Sequence, residues 1–151
     1  MSDAQFAAYE ARCAAAAELR KQVLPHNKQV LFDALQAAGI EFVTIEFDGY
    51  GDSGQFYAPA GFDGANDQVT IPTEEITVKA VDFETGTVRE QSITLGDYIE
   101  TLACDVLESK HSGWETDDGA HGEFRFSLDE RSVTLEYSER YTATNHYEHE
   151  F

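Results

Sequence analysis

The chain is poor in base. Ten Lys and Arg residues stand against 29 Asp and Glu, leaving a formal charge of −19 in 151 residues. The first 28 residues escape this imbalance, since Arg12, Arg20, Lys21 and Lys28 offset Asp3, Glu10 and Glu18. Everything after them is acidic. Such a surface repels nucleic acid and anionic lipid and attracts cationic protein over roughly a Debye length, about 8 Å at physiological salt. Direct nucleic-acid binding is therefore excluded, because the few cations are scattered and build no patch. Acid-rich, lysine-poor composition is also how proteins adapt to high salt, and that reading stays open.

Other scarcities narrow the field. Cysteine occurs at Cys13 and Cys104 alone, both within apolar helical patterns, which argues for reduced, buried thiols rather than a disulfide framework. No run approaches the ~20 apolar residues of a membrane helix. The opening residues have neither a basic stretch nor a long apolar run, so no secretory signal is expected and the expected location is the cytoplasm. Disorder is disfavoured too, with 42% hydrophobic residues, ten Phe and seven Tyr.

What is present reads as one α+β domain over residues 1–151. Helical periodicity runs through 4–38. Phe6, Tyr9, Cys13, Ala16, Leu19 and Val23 are expected to face inward in a first helix ending near Pro25. Val30, Leu31, Ala34 and Leu35 face inward in a second, closed by Gly39 as a left-handed C′ residue. Period two takes over at 40–48, and a glycine turn, Gly49–Gly54, follows. Residues 59–68 read as a mobile loop. A hairpin is expected over 74–93, then a third helix at 95–110 with Thr94 as N-cap, then a second hairpin turning at Asp129-Glu130. The expected architecture is an antiparallel sheet of about four to six strands carrying two N-terminal helices and one central helix.

Recognised chemistry is scarce. Gly51-Asp52-Ser53-Gly54 lacks the histidine base and oriented acid that a serine nucleophile needs. Asp48 and Asp52 lack the alternating oxygens of a calcium loop. No Walker lysine or dinucleotide fingerprint occurs, and no cofactor is expected. His111, His121, His146 and His149 lie among carboxylates, but at no recognised metal-ligand spacing. A small metal-dependent enzyme using them is the alternative function.

The leading expectation is a non-catalytic module that docks on a basic protein surface. Its contact residues would be Asp97, Glu100, Asp105 and Glu108 on the central helix, Trp114, Glu115, Asp117, Asp118 and Glu123 in the next segment, and Tyr147 in the tail. Arrayed carboxylates can imitate a nucleic acid and occupy the groove of a DNA- or RNA-handling protein, such as a restriction or CRISPR effector. Trp114 has a structural reading beside this one, as a staple between helix end and sheet. An oligomeric accessory subunit, paired through apolar stripes in 4–38, is a further alternative.

Three segments carry a resemblance: Asp48–Gln55, Gly113–Phe124, and Glu139-Arg140-Tyr141-Thr142 through Glu148-His149-Glu150-Phe151. From about residue 28 onward the chain resembles an uncharacterised family of small acidic proteobacterial proteins, a domain of unknown function found in plasmid-like and phage-like regions. The resemblance implies a mobile-element setting, whose accessory proteins blunt host defences or regulate plasmid functions. It implies no catalytic residues.

Overall fold

A computed structural model describes residues 2–151. Helix α1 (Asp3–Ala37) begins in a reciprocal cap: Ser2 Oγ accepts from Gln5 N–H, and the Gln5 side chain accepts from Ser2 N–H. The expected break at Pro25 does not occur, so the described residues hold two helices rather than three. An interior proline costs about 3 kcal/mol. Packing of Leu31, Phe32 and Leu35 just beyond it, all essentially inaccessible, holds the turns together. Gly39 takes the left-handed conformation, φ +74°, as expected.

The first half of α1 corrects the expected inward stripe. Phe6, Tyr9 and Cys13 are exposed, and Ala16 is the buried member. Periodicity marks an apolar face but does not say what covers it. Here Phe83 meets this half of the helix, edge-on to Tyr9 at 5.9 Å and beneath the Arg12 guanidinium at the same distance. Cys104 is half-buried, and desolvation, reinforced by surrounding acids, pushes its thiol pKa up.

Six strands form the main sheet: β1 (Phe42–Tyr50), β2 (Ser53–Phe56), β3 (Ala60–Phe62), β4 (Gln68–Val69), β7 (Ala120–Ser127) and β8 (Ser132–Glu139). Their order is β4-β3-β1-β7-β8, with β2 sharing an edge of β1 with β3, and every pairing is antiparallel. Phe47 faces Phe56 while Thr44 faces Ala60, so one extra residue is absorbed between β2 and β3. Pro59 sits in that bulge, a position proline tolerates in sheets. Thus 59–68 is not the loop its breakers suggest. It builds β3 and β4, joined by a turn in which Asp63 Oδ1 accepts from the N–H groups of Ala65 and Asp67.

Strands β5 (Glu75–Asp82) and β6 (Thr87–Thr94) make a separate two-stranded sheet, with β6 largely exposed. Helix α1 covers the other edge of this hairpin. Asn27, 6% exposed, donates to Lys79 C=O and accepts from Lys79 N–H, both at 2.8 Å. One side-chain amide thereby replaces a neighbouring strand. Asn27→Ala removes both bonds and leaves two strand groups facing a helix without partners, each costing about 1–3 kcal/mol. After the gain in helix propensity, a net loss of about 2–3 kcal/mol is expected, or about 4–12 °C in Tm for a chain of this size. Thermal melts followed by circular dichroism would measure it.

Helix α2 (Leu95–Lys110) starts at Thr94, whose Oγ1 accepts from Asp97 N–H. Its apolar stripe, Tyr98, Ile99, Leu102, Ala103 and Leu107, joins Leu31, Phe32 and Leu35 of α1 in one core. Val43, Ile45 and Phe47 of β1 and Phe124 and Phe126 of β7 complete that core from the sheet. Both helices therefore lie against one face of the main sheet, and its other face is open. No helix among the described residues is long and apolar enough to cross a membrane.

Candidate interaction surface

Alternation along the strands decides what the open face displays. Core residues occupy the odd positions of β1 and the even positions of β7, so Glu46 and Asp48 point away from the helices, as do His121, Glu123 and Arg125. On β8 the half-buried Val133, Leu135 and Tyr137 face the core side, and Thr134, Glu136 and Ser138 face out. Register then does what sequence alone does not. Glu46 stands opposite Glu123, and Glu123 stands opposite Glu136. Three carboxylates form a row across three adjacent strands.

Like charges directly opposite one another are destabilising, and residues so placed have Cβ atoms about 4.5–5.5 Å apart. Among the described residues no ion pair neutralises the row. The ion pairs among them are Arg131–Asp33 and Arg140–Asp48, both at 2.8 Å. Arg125, the nearest cation along β7, lies 4.4 Å over the Phe42 ring, which is itself stacked on Phe62. One register step from the glutamates, Asp48, His121 and Ser138 form a second row. Arg140 closes that side by bonding Asp48 and the Gly49 carbonyl. Tyr57 borders the resulting groove.

The expected contact residues divide among several places. Asp97, Glu100, Asp105 and Glu108 are exposed on α2, on the helical side of the sheet, whereas Glu123 belongs to the opposite face. Asp97 sits in the first turn of α2, where the helix dipole favours an anion. Glu108 accepts from Trp114 Nε1–H at 3.2 Å. Tyr147 is exposed in the tail. Asp118 accepts from Thr142 Oγ1 at 2.7 Å, tying the start of the tail to the loop, and Asp117 is exposed beside it.

Trp114 is 7% exposed and belongs to the core. Its six-membered ring lies over Gly49 and Gly54, which are cross-strand partners. A Cβ on either glycine would fall within 2.6 Å of the indole. Phe47 and Phe56 meet the ring edge-on at 5.3 and 5.9 Å. The glycine-rich turn thus provides a flat floor for an aromatic ring. Gly51 N–H and Asp52 N–H bond the carbonyls of Asp117 and Glu115, fastening the 113–119 loop to the β1–β2 turn. Glu115 is half-buried, and its Oε2 has no hydrogen-bond partner among the described residues.

Asp105 is exposed as a residue, but partial desolvation of its carboxyl, opposed by the Arg20 guanidinium, raises its pKa above its ordinary 3.8. The folded state then holds this proton more tightly than the unfolded chain, so stability falls as pH rises through the interval between the two pKa values. Asp105→Asn is expected to raise Tm at pH 7 and to leave it unchanged at pH 3. Glu100→Gln, another exposed acid on the same helix, controls for general charge relief in melts at both pH values.

The histidines do not converge. His111 stacks on Tyr137 at 3.6 Å and His121 lies on the open face, while His146 and His149 are in the exposed tail. Among the described residues no group of three or more His, Cys, Asp or Glu side chains is arranged to hold a metal. Glu46 and Glu136 were not among the expected contact residues. The turn at Asp129-Glu130 already aligns Glu123 with Glu136, but the pairing with Glu46 spans the chain and has no local signal.

A family model described as a family of unknown function, DUF6878, matches residues 23–151. The match begins where α1 begins to bury side chains regularly. None of the curated proteins and none of the solved structures compared with the chain matches it.

Proposed function

We propose, from the premise that the chain belongs to this family of unknown function, that it is a non-catalytic acidic module docking on a cationic protein surface. The surface it fits is one that otherwise holds DNA or RNA. The observation that supports this reading is the Glu46–Glu123–Glu136 row. Three opposed carboxylates on an open sheet face, with the nearest arginines engaged elsewhere, lower the stability of the free protein. Residues that cost stability without a structural return are expected at functional sites. A lysine- and arginine-lined groove would relieve their repulsion on binding, and regularly spaced carboxylates present such a groove with charges in place of phosphates. A mobile-element inhibitor of a host defence protein is the biological setting that suits such chemistry.

Two outcomes follow together. Glu123→Gln, at the centre of the row, relieves two repulsive contacts and is expected to raise stability by about 1 kcal/mol, or about 2–4 °C in Tm. The triple variant Glu46→Gln/Glu123→Gln/Glu136→Gln is expected to lose binding to a basic partner captured from host lysate at low salt. It would then no longer compete with DNA or RNA for that partner. Asp97→Asn/Glu100→Gln/Glu108→Gln carries the same charge change on the helical face and retains competition. Equal loss from both variants, or association indifferent to salt, refutes the reading.

A further inference from the structure

One cation of this chain already lies in the groove of the open face. Among the residues lining that groove, Glu46, Asp48, Glu123 and Glu136 supply four carboxylates, and Arg140 is the only Lys or Arg. Its guanidinium is held by acceptors from two strands. Nη2 lies 2.8 Å from Asp48 Oδ1, while Nη1 donates to Gly49 C=O at 2.9 Å and, more weakly, to Ala120 C=O at 3.4 Å. One carboxylate and two main-chain carbonyls thus converge on the prongs of a planar fork. Such an arrangement suits a guanidinium better than the point charge of an ammonium.

The segment that carries this guanidinium is lightly attached. Arg140 N–H bonds Gly119 C=O at 3.0 Å, and no helix or strand follows. Residues 141–151 are exposed throughout, and their hydrogen bond to the domain is the one from Thr142 Oγ1 to Asp118. The Arg140 and Asp48 side chains remain 35% and 42% exposed, so water screens the pair and keeps it weak. Glu46 stands two residues from Asp48 along β1, about 7 Å away. A cation brought to the glutamate row is therefore within a Debye length of Arg140.

We infer that this end of the groove is a guanidinium site, filled by Arg140 in the free protein and yielded to an arginine of the partner. The inference rests on the docking reading above and names the side chain that docks. An incoming guanidinium repels Arg140 and offers Asp48 an equivalent fork, so the exchange conserves the ion pair. Arg140 then leaves the sheet, and residues 140–151 go with it. The terminal segment is a displaceable strap, and the partner that displaces it presents arginine rather than lysine.

Two measurements test this, one on the emptied site and one on the parent chain. In Arg140→Ala, methylguanidinium at about 30 mM is expected to raise Tm by about 2–3 °C, the shift for a dissociation constant of about 10 mM. Methylammonium at the same concentration is expected to give no such rise, nor is methylguanidinium added to the parent or to Asp48→Asn/Arg140→Ala. In the parent at low salt, saturating nona-arginine is expected to speed hydrogen exchange of the Arg140 amide about tenfold, read by NMR. Nona-lysine is expected to leave that amide unchanged. Absence of a guanidinium-specific rescue in a folded Arg140→Ala overturns the site, and if that variant does not fold the parent measurement decides. Nona-arginine that binds without loosening the Arg140 amide overturns the exchange and leaves the docking reading standing. Nona-arginine that does not bind at low salt overturns both.

Discussion

Gly119→Ala is expected to remove most of the stability of this domain. Gly119 holds φ +75°, where a side chain adds strain, and its added Cβ would overlap the Gly49 carbonyl. That carbonyl cannot retreat freely, because it accepts from Arg140 and lies at the end of the β1–β7 pairing. Relief requires moving the 113–119 loop, which also fastens the β1–β2 turn through Gly51 and Asp52. A loss of about 4 kcal/mol or more is expected, in the tail of the distribution for single substitutions and comparable to the whole stability of many domains. Urea unfolding would show a collapsed midpoint or no cooperative transition. Gly51→Ala, also at positive φ but with open space around its Cβ position, isolates the conformational part and is expected to cost about 1–2 kcal/mol.

Trp114→Ala follows, at about 3–5 kcal/mol. The substitution empties the space above the Gly49–Gly54 floor and removes the edge contacts with Phe47 and Phe56. The glycines have no side chains with which to refill it. Trp114→Phe keeps an aromatic ring on the floor but loses the bond to Glu108, and about 1–2 kcal/mol is expected. Chemical denaturation of both variants, followed by circular dichroism because the only tryptophan is lost, would separate filling from hydrogen bonding. Partner binding by folded Trp114→Phe is expected to match the parent, since the ring is too enclosed to anchor a partner. Loss of binding in a variant of unchanged fold would restore Trp114 to the contact surface.

Local pattern reached far into this fold. Period two in Val43, Ile45 and Phe47 placed β1. The stripe Tyr98-Ile99-Leu102-Ala103 placed α2, and Thr94 placed its start, because each signal is written within one turn or a few residues of strand. Pattern failed where a distant surface decided. Pro25 does not end α1, since Leu31, Phe32 and Leu35 bury against strands from across the chain. Pro59 and Gly61 look like breakers, yet a bulge against β1 uses both. Phe6 and Tyr9 have core-like spacing, but the domain offers that half of the helix little beyond Phe83.

The same division runs through the candidate surface. Composition alone determined that the chain is strongly acidic beyond residue 28, and alternation alone determined that Glu46, Glu123 and Glu136 leave the core. Only strand register decided that they stand in one row, and only the layering decided that α2 presents its acids on the opposite side. Charge and periodicity are properties of neighbours in sequence, whereas repulsion between opposed side chains depends on which strands pair. That choice is made by the buried face of the sheet, through the contacts of Phe47, Phe124 and the helices that cover them.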